Sequence, residues 1–161
     1  MTDLEGGTMP MLEAGEWGDV FFVVNHSGGK DSMRMLGKLR DEYPDVETAG
    51  VTSDTGFEHQ KPVSAVEWVR LRCASLRNPV AAHVVRNPRK THLEMVEQRG
   101  KFPSAQFRQC TSDLKRRPIE RFIRTLRRRI VVNCVGIRAV ESQNRAPQPV
   151  WTVNKALTTK E

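Results

Sequence analysis

Residues 19–32 read DVFFVVNHSGGKDS, and this stretch decides the fold. Asp19 to His26 is a nearly continuous apolar run, the pattern of a strand buried on both faces of a sheet. Ser27 to Ser32 follows without a spacer. Gly28 and Gly29 let the backbone turn sharply. A helix starting near Asp31 then carries Met33, Met35, Leu36 and Leu39 at helical spacing. Such a strand–loop–helix turn offers backbone N–H groups and a positive helix end to phosphate or sulfate oxygens. Lys30 adds a point charge, and Ser27 and Ser32 add hydroxyl donors. The lysine follows Gly-Gly directly, so the loop is neither the GxxxxGK(S/T) of a Walker loop nor the GxGxxG of a dinucleotide fold.

Working outward, the same alternation repeats. Val46 to Ser53 reads as a second strand, with Asp54 to Glu58 as its loop. Pro62 to Leu76 reads as a helix, Pro79 to Val85 as a third strand, and Leu93 to Arg99 as a helix capped by Thr91 with Glu94. Ser112 to Arg128 reads as a helix that starts late or kinks at Pro118. Ile130 to Val135 is a fourth strand, and residues 136–149 are loop. Strands alternating with helices predict an α/β domain with a mainly parallel sheet between helical layers. Residues 1–18 hold four glycines and a proline without periodicity and read as a flexible N-terminal arm. Residues 19–161 then form a single domain, with one short strand in residues 150–161 that has no evident partner.

Composition narrows the class. The chain has 161 residues, 38% hydrophobic and 28% charged, which excludes a largely disordered protein. No apolar run approaches the ~20 residues of a membrane helix. Three cysteines, Cys73, Cys110 and Cys134, show no CxxC spacing, which argues against a disulfide framework and against a self-contained iron–sulfur or zinc site. A reducing, cytoplasmic setting is expected. The net charge is +7, and residues 108–129 alone carry nine basic and two acidic residues. The 115–129 segment is either a solvated helix face or a surface for DNA, RNA or an acidic protein. No aromatic residues interleave with its arginines as a single-strand binder would want.

The motifs resemble a known family. Ser27-Gly-Gly-Lys-Asp-Ser32 is similar to the pyrophosphate-binding loop of the N-type ATP pyrophosphatases, of the adenine nucleotide alpha-hydrolase-like, Rossmann-like fold. Asp54-Thr-Gly-Phe-Glu-His59 resembles the DTGxE element of the phosphoadenosine phosphosulfate (PAPS) reductase family. Phe102-Pro103, Arg108, Cys110-Thr111, Leu114-Lys115 and Pro118 resemble a third element of that family, and Gly136-Ile-Arg138, Glu141-Ser142 and Arg145 a fourth. The resemblance implies a three-layer α/β/α domain holding ATP, PAPS or adenylyl sulfate across the carboxyl ends of its strands. It implies that Ser27, Gly28, Gly29, Lys30, Asp31, Ser32, Asp54, Thr55, Gly56, Gly136, Arg138 and Arg145 meet the nucleotide. Asp31, Asp54 or Glu58 would hold Mg²⁺. Lys30, Arg138 and Cys110 are the candidate catalytic residues.

Family members differ in chemistry. Reductases use a cysteine near the C-terminus, and this sequence has none after Cys134. It also stops where relatives continue, which reads as a C-terminally shortened version. The intact Gly-Gly-Lys-Asp points instead to cleavage of ATP at the α-phosphate, in adenylyl or sulfur transfer. Sulfonucleotide reduction with a partner, and a catalytically incomplete nucleotide- or nucleic-acid-binding module, stay open as alternatives, as does a homodimer. No iron–sulfur cluster is expected from this chain alone. Cys73 and Cys134 read as core residues, Phe57 and Trp68 as packing residues, and His26 as a strand-end histidine bonded to backbone.

Overall fold

β1 (Val20–Asn25) is a central strand because every residue up to Val24 is apolar, so both of its faces can be covered. The computed structural model describes residues 16–57, 65–104 and 108–137, together with 152, 154 and 157. In chain order, α1 (Lys30–Glu42), β2 (Glu47–Asp54), α2 (Ala65–Ala74), β3 (Ala81–Arg86), α3 (His92–Arg99), α4 (Arg117–Thr125) and β4 (Ile130–Cys134) follow β1. The four strands form one parallel sheet in the order β3-β2-β1-β4. Helices cover both faces. Val20, Phe22 and Val24 pack with Leu36 of α1 and with Val69 and Cys73 of α2. Phe21 and Val23 point the other way and pack with Ala49, Val51, and Ile119 and Ile123 of α4. This is the expected three-layer α/β/α arrangement.

The elements match the expected ones with informative differences. β1 starts one residue late, after a 3-10 turn at Glu16–Asp19, so the last residues of the expected N-terminal arm are structured. The rest of that arm lies outside the described residues. At α3, the Thr91 hydroxyl accepts from Glu94 N–H and the Glu94 carboxylate accepts from Thr91 N–H, so the capping box is formed. The segment read as a helix from Ser112 to Arg128 begins at Cys110, is π-helical to Arg116 and becomes α4 beyond. Pro118 sits in the first turn of α4. Its ring has no N–H and excludes an ordinary preceding turn, and the wider turn upstream absorbs the mismatch. The helix ends at Thr125, so Arg127, Arg128 and Arg129 belong to the connection into β4 and not to the basic helix. The chain must leave the helix there for Ile130 to pair with Val20.

Candidate functional site

In a parallel sheet every strand ends on the same edge, so the loops after β1, β2, β3 and β4 gather there. The strand order reverses between β1 and β4: β2 and β3 are added on one side of β1, and β4 on the other. Open α/β sheets bind ligands outside the carboxyl ends of the strands at such a reversal. The Ser27–Gly29 loop leaves β1 beside it, and Val135–Ile137 leaves β4 on its other side. The Asn25 side chain crosses the mouth, donating to Asn133 Oδ1 at 2.6 Å and to the Cys134 carbonyl at 2.8 Å. A Cβ built on Gly136 would lie 3.9 Å from Cε of Met35, so the β4 loop rests on α1.

The glycine loop is built from below by His26. Gly28 has φ +79°, a conformation that a side chain resists, and its N–H turns inward to His26 Nδ1 at 2.9 Å. Nδ1 is therefore an acceptor, and the neutral ring carries its proton on Nε2, which faces Met33 Sδ at 2.7 Å. His26 is 3% exposed, and burial pushes its pKa below the ordinary value. Its backbone is fixed by Val51 O at 2.8 Å and by the Thr52 hydroxyl, which donates to the His26 carbonyl. The Ser32 hydroxyl donates to Gly29 O at 2.8 Å, closing the turn. Gly29 begins α1 without a side-chain cap. First-turn N–H groups have no intrahelical acceptor, and the helix end is positive. Lys30 is the first helical residue and is exposed, as is Asp31.

The loop after β2 is a tight turn in which Asp54 Oδ1 accepts from Gly56 N–H at 2.9 Å. One carboxylate oxygen of Asp54 is thus committed to the turn. Thr55 O accepts from His92 N–H at 2.8 Å, joining this loop to α3. The π-helical segment lies over the ends of β2 and β3: Ser53 Oγ donates to Lys115 O at 3.2 Å, and Asn87 Nδ2 to Asp113 O at 3.0 Å. Asp113 anchors it from within. Its side chain is 8% exposed and bonds Lys90 Nζ at 2.7 Å and Arg117 at 3.2 Å. The Lys90 hydrogen bond holds the Asp113 pKa below its ordinary value.

Cys110 opens the π-helical segment and is partly exposed, with Thr111 Oγ1 at 4.0 Å from its sulfur. Cys73 is fully buried, and burial raises its pKa. Cys134 packs against the core, and burial pushes its pKa up to about 12. The sequence reading of these two as core residues agrees. Phe57 and Trp68 differ from their packing assignment, at 55% and 39% exposed. Trp68 carries the Arg72 guanidinium 4.6 Å above its ring. Glu58, Arg138 and Arg145 lie outside the described residues, as do His59, Glu141 and Ser142. Among the described residues no three His, Cys, Asp or Glu side chains gather as a metal cluster. No helix among them is long and apolar enough to cross a membrane.

The basic stripe is partly neutralised. Arg116 pairs with Glu120 at 3.4 Å, Arg117 with Asp113, and Arg128 with Glu47. The arginine ends of these pairs are largely exposed, and the pairing lowers the field that the stripe offers a polyanion.

Residues 22–160 match the family model of the phosphoadenosine phosphosulfate reductase domain. The chain belongs to this family. A PAPS reductase domain lies within the adenine nucleotide alpha-hydrolase-like superfamily, which agrees with the parallel sheet flanked by helices. This domain is also similar to the uncharacterized protein MJ0066 of Methanocaldococcus jannaschii, 30% identical over 125 residues. That match takes in 77% of this chain and 24% of the relative, so the chain spans about a quarter of that protein's length. The reading of His26 as a strand-end histidine bonded to backbone agrees with its Nδ1 accepting the Gly28 N–H. The signal was an apolar strand ending in a histidine two residues before a glycine.

Proposed function

We propose that this PAPS reductase domain binds an adenine nucleotide in the crevice between β1 and β4 and supports attack on the α-phosphate of ATP, with release of pyrophosphate. The observation that carries this reading is the left-handed turn at Gly28, which leads into the uncapped N-terminus of α1 with Lys30 in its first turn, at the reversal of strand order. Phosphate oxygens would lie over Ser27, Gly28, Gly29, Lys30, Asp31 and Ser32. Gly28 serves by shape, since its N–H already serves His26. Asp54, Thr55 and Gly56 border the nucleotide on the β2 side, and Gly136, Arg138 and Arg145 on the β4 side. The transition state spreads charge over phosphoryl oxygens, so the protein's task is positioning and neutralisation by Lys30 and the two arginines.

The donor set fits a Mg²⁺ ion carried largely by nucleotide oxygens and water, which needs one or two protein carboxylates and no protein cage. Asp31 and the uncommitted oxygen of Asp54 are the candidates, with Glu58. Bound there, Mg²⁺ would offset phosphate charge. Cys110 supports a sulfur-handling version of the reaction, because it is a partly exposed thiol on the reactive edge. Sulfonucleotide reduction with a partner's reductant is the second reading that this thiol favours.

Calorimetry with ATP, AMP, adenylyl sulfate and PAPS tests the site, with Lys30→Ala as the control. Affinity should fall at least tenfold in the variant, about 1.4 kcal/mol. A loss below threefold overturns the loop assignment. Pyrophosphate release from ATP with Mg²⁺ separates catalysis from binding alone.

A further inference from the structure

The basic stripe runs the length of a strand. At one end Ser53 Oγ, near the carboxyl end of β2, donates to the Lys115 carbonyl. At the other end Arg128 pairs with Glu47, the first residue of β2. α4 therefore returns along β2 from the carboxyl edge of the sheet to the amino edge. Its Ile119 and Ile123 face the core. Arg117, Arg121 and Arg124 recur at i, i+4 and i+7 on the outward face, and all three are exposed. The rise from the first to the last of them is about 10 Å. Lys115 and Arg127 are exposed beyond the two ends of the helix.

Carboxylates do not cancel this charge. Residues 108–129 contain two, Asp113 and Glu120. Lys90 already neutralises buried Asp113 at 2.7 Å, so Arg117, its second partner, still adds charge to the face. Glu120 is 18% exposed and holds Arg116, and Glu47 holds Arg128. Lys115, Arg121 and Arg127 have no carboxylate partner among the described residues.

The chemistry of the face selects its partner. Between residues 108 and 129 no large apolar side chain is exposed. Protein partners draw most of their affinity from buried aromatic and aliphatic anchors, which this face lacks, whereas a phosphate backbone needs charge alone. Seven of the eight cations in residues 115–129 are arginine, whose planar fork matches phosphate. An unpaired strand would want rings to stack on. Phe122, the one aromatic residue of the segment, lies 4.8 Å from His83 and packs on the core. The exposed rings belong to other elements: Phe57 and Phe102, beyond β2 and α3, gather about His92 at 4.9 and 6.4 Å, and Trp68 lies on α2 in the opposite layer.

We infer that the outward face of α4, with Lys115 and Arg127 at its ends, binds the phosphate backbone of a nucleic-acid duplex without reading its sequence. Phosphate contacts of this kind position a protein on a duplex and carry no base information. The inference does not rest on the nucleotide reading, since none of these residues belongs to the glycine loop.

The test is fluorescence anisotropy of a labelled DNA duplex of about 20 base pairs, with the unlabelled duplex, its single strand and polyglutamate of equal charge as competitors. Log affinity should fall against log salt with a slope of about −0.9 per phosphate, so about −3 to −4 for three or four contacts. Arg121→Gln and Arg124→Gln should each weaken binding about threefold or more and bring the slope about one unit nearer zero. Arg70→Gln removes the same charge from an exposed position of α2 in the opposite layer and should bind like the parent. All variants are checked for an unchanged melting temperature. Lys30→Ala should lose ATP affinity and keep duplex binding, so the two readings fail separately. Absence of binding at low salt, binding indifferent to salt, or an equal loss in Arg70→Gln overturns the surface. So does polyglutamate or single strand competing as well as the duplex, or displacement of the duplex by saturating ATP with Mg²⁺.

Discussion

Gly28 donates its backbone N–H to Nδ1 of His26 across 2.9 Å, so the turn of the glycine loop hangs on a buried, neutral imidazole. Among the described residues its other hydrogen-bond partners are Ser32, Met33, Val51 and Thr52, none of them charged. An imidazolium has no lone pair for Gly28. Burial pushes the folded pKa below 6.5, so on acidification the unfolded chain takes up this proton before the folded one does. The unfolded state then binds more protons, so stability rises with pH and is lost as pH falls. The stability is fully present above pH 6.5 and is lost progressively below it, and nucleotide affinity should fall in the same window. His26→Asn keeps an acceptor near the Nδ1 position and cannot titrate. Urea midpoints between pH 7.5 and 5 should slope in the parent and be flatter in the variant. Equal slopes would show that His26 is not the titrating group.

Asp113 gives a second, lower window. Its pKa is held below 3.8, chiefly by the Lys90 hydrogen bond, so its contribution is present above that pH and lost as pH falls below it. Asp113→Asn should cost about 1–3 kcal/mol by leaving Lys90 without its charged partner. In a double-mutant cycle with Lys90→Met the two losses should be less than additive, since they share one bond. Additive losses would show that the pair is not coupled.

The three thiols should separate by reactivity. Thiolate is the reacting form, and burial raises the pKa of both Cys73 and Cys134. Native protein at neutral pH should take up one equivalent of iodoacetamide, at Cys110, and three after denaturation. Peptide mass spectrometry reads the site. Early labelling of Cys134 would contradict its burial.

Cys73 of α2 packs directly over Gly50 of β2. A Cβ built there would lie 2.8 Å from Cys73 Sγ. Gly50→Ala should destabilise by about 1–3 kcal/mol through overpacking. Cys73→Ala opens room, so the double variant should be more stable than the sum of the two single losses predicts. Denaturation midpoints measure both, and a neutral Gly50→Ala would mean that the contact relaxes freely.

The parallel sheet was legible because VFFVV can be buried on both faces of a central strand and because Thr91 and Glu94 form their capping box as written. The loop was legible because Gly-Gly-Lys sits between that strand and a periodic helix. The π-helical segment was not. The apolar spacing leaves no trace of it, since buried Leu114 and Pro118 stand four apart as in an α-helix. The cluster of Phe57, His92 and Phe102 was invisible for another reason. Its members lie 35 and 10 positions apart, and the hydrogen bond from His92 to Thr55 joins the β2 loop to the start of α3. The pairing of Glu47 with Arg128 across the domain likewise gives no local signal, so the basic stripe looked more open than it is.

The position of β1 has a consequence for how the chain comes off the ribosome. Its two neighbours are residues 47–51 on one side and 130–134 on the other. At roughly 5–20 residues per second, the 110 positions between Val20 and Ile130 take about 5–20 s to synthesise. Through that interval one side of VFFVV is an unpaired apolar edge, the kind that neighbouring nascent chains can join. The strand that makes the fold readable is therefore also the one that most needs shielding during synthesis, and β4 supplies that shield last of the four strands.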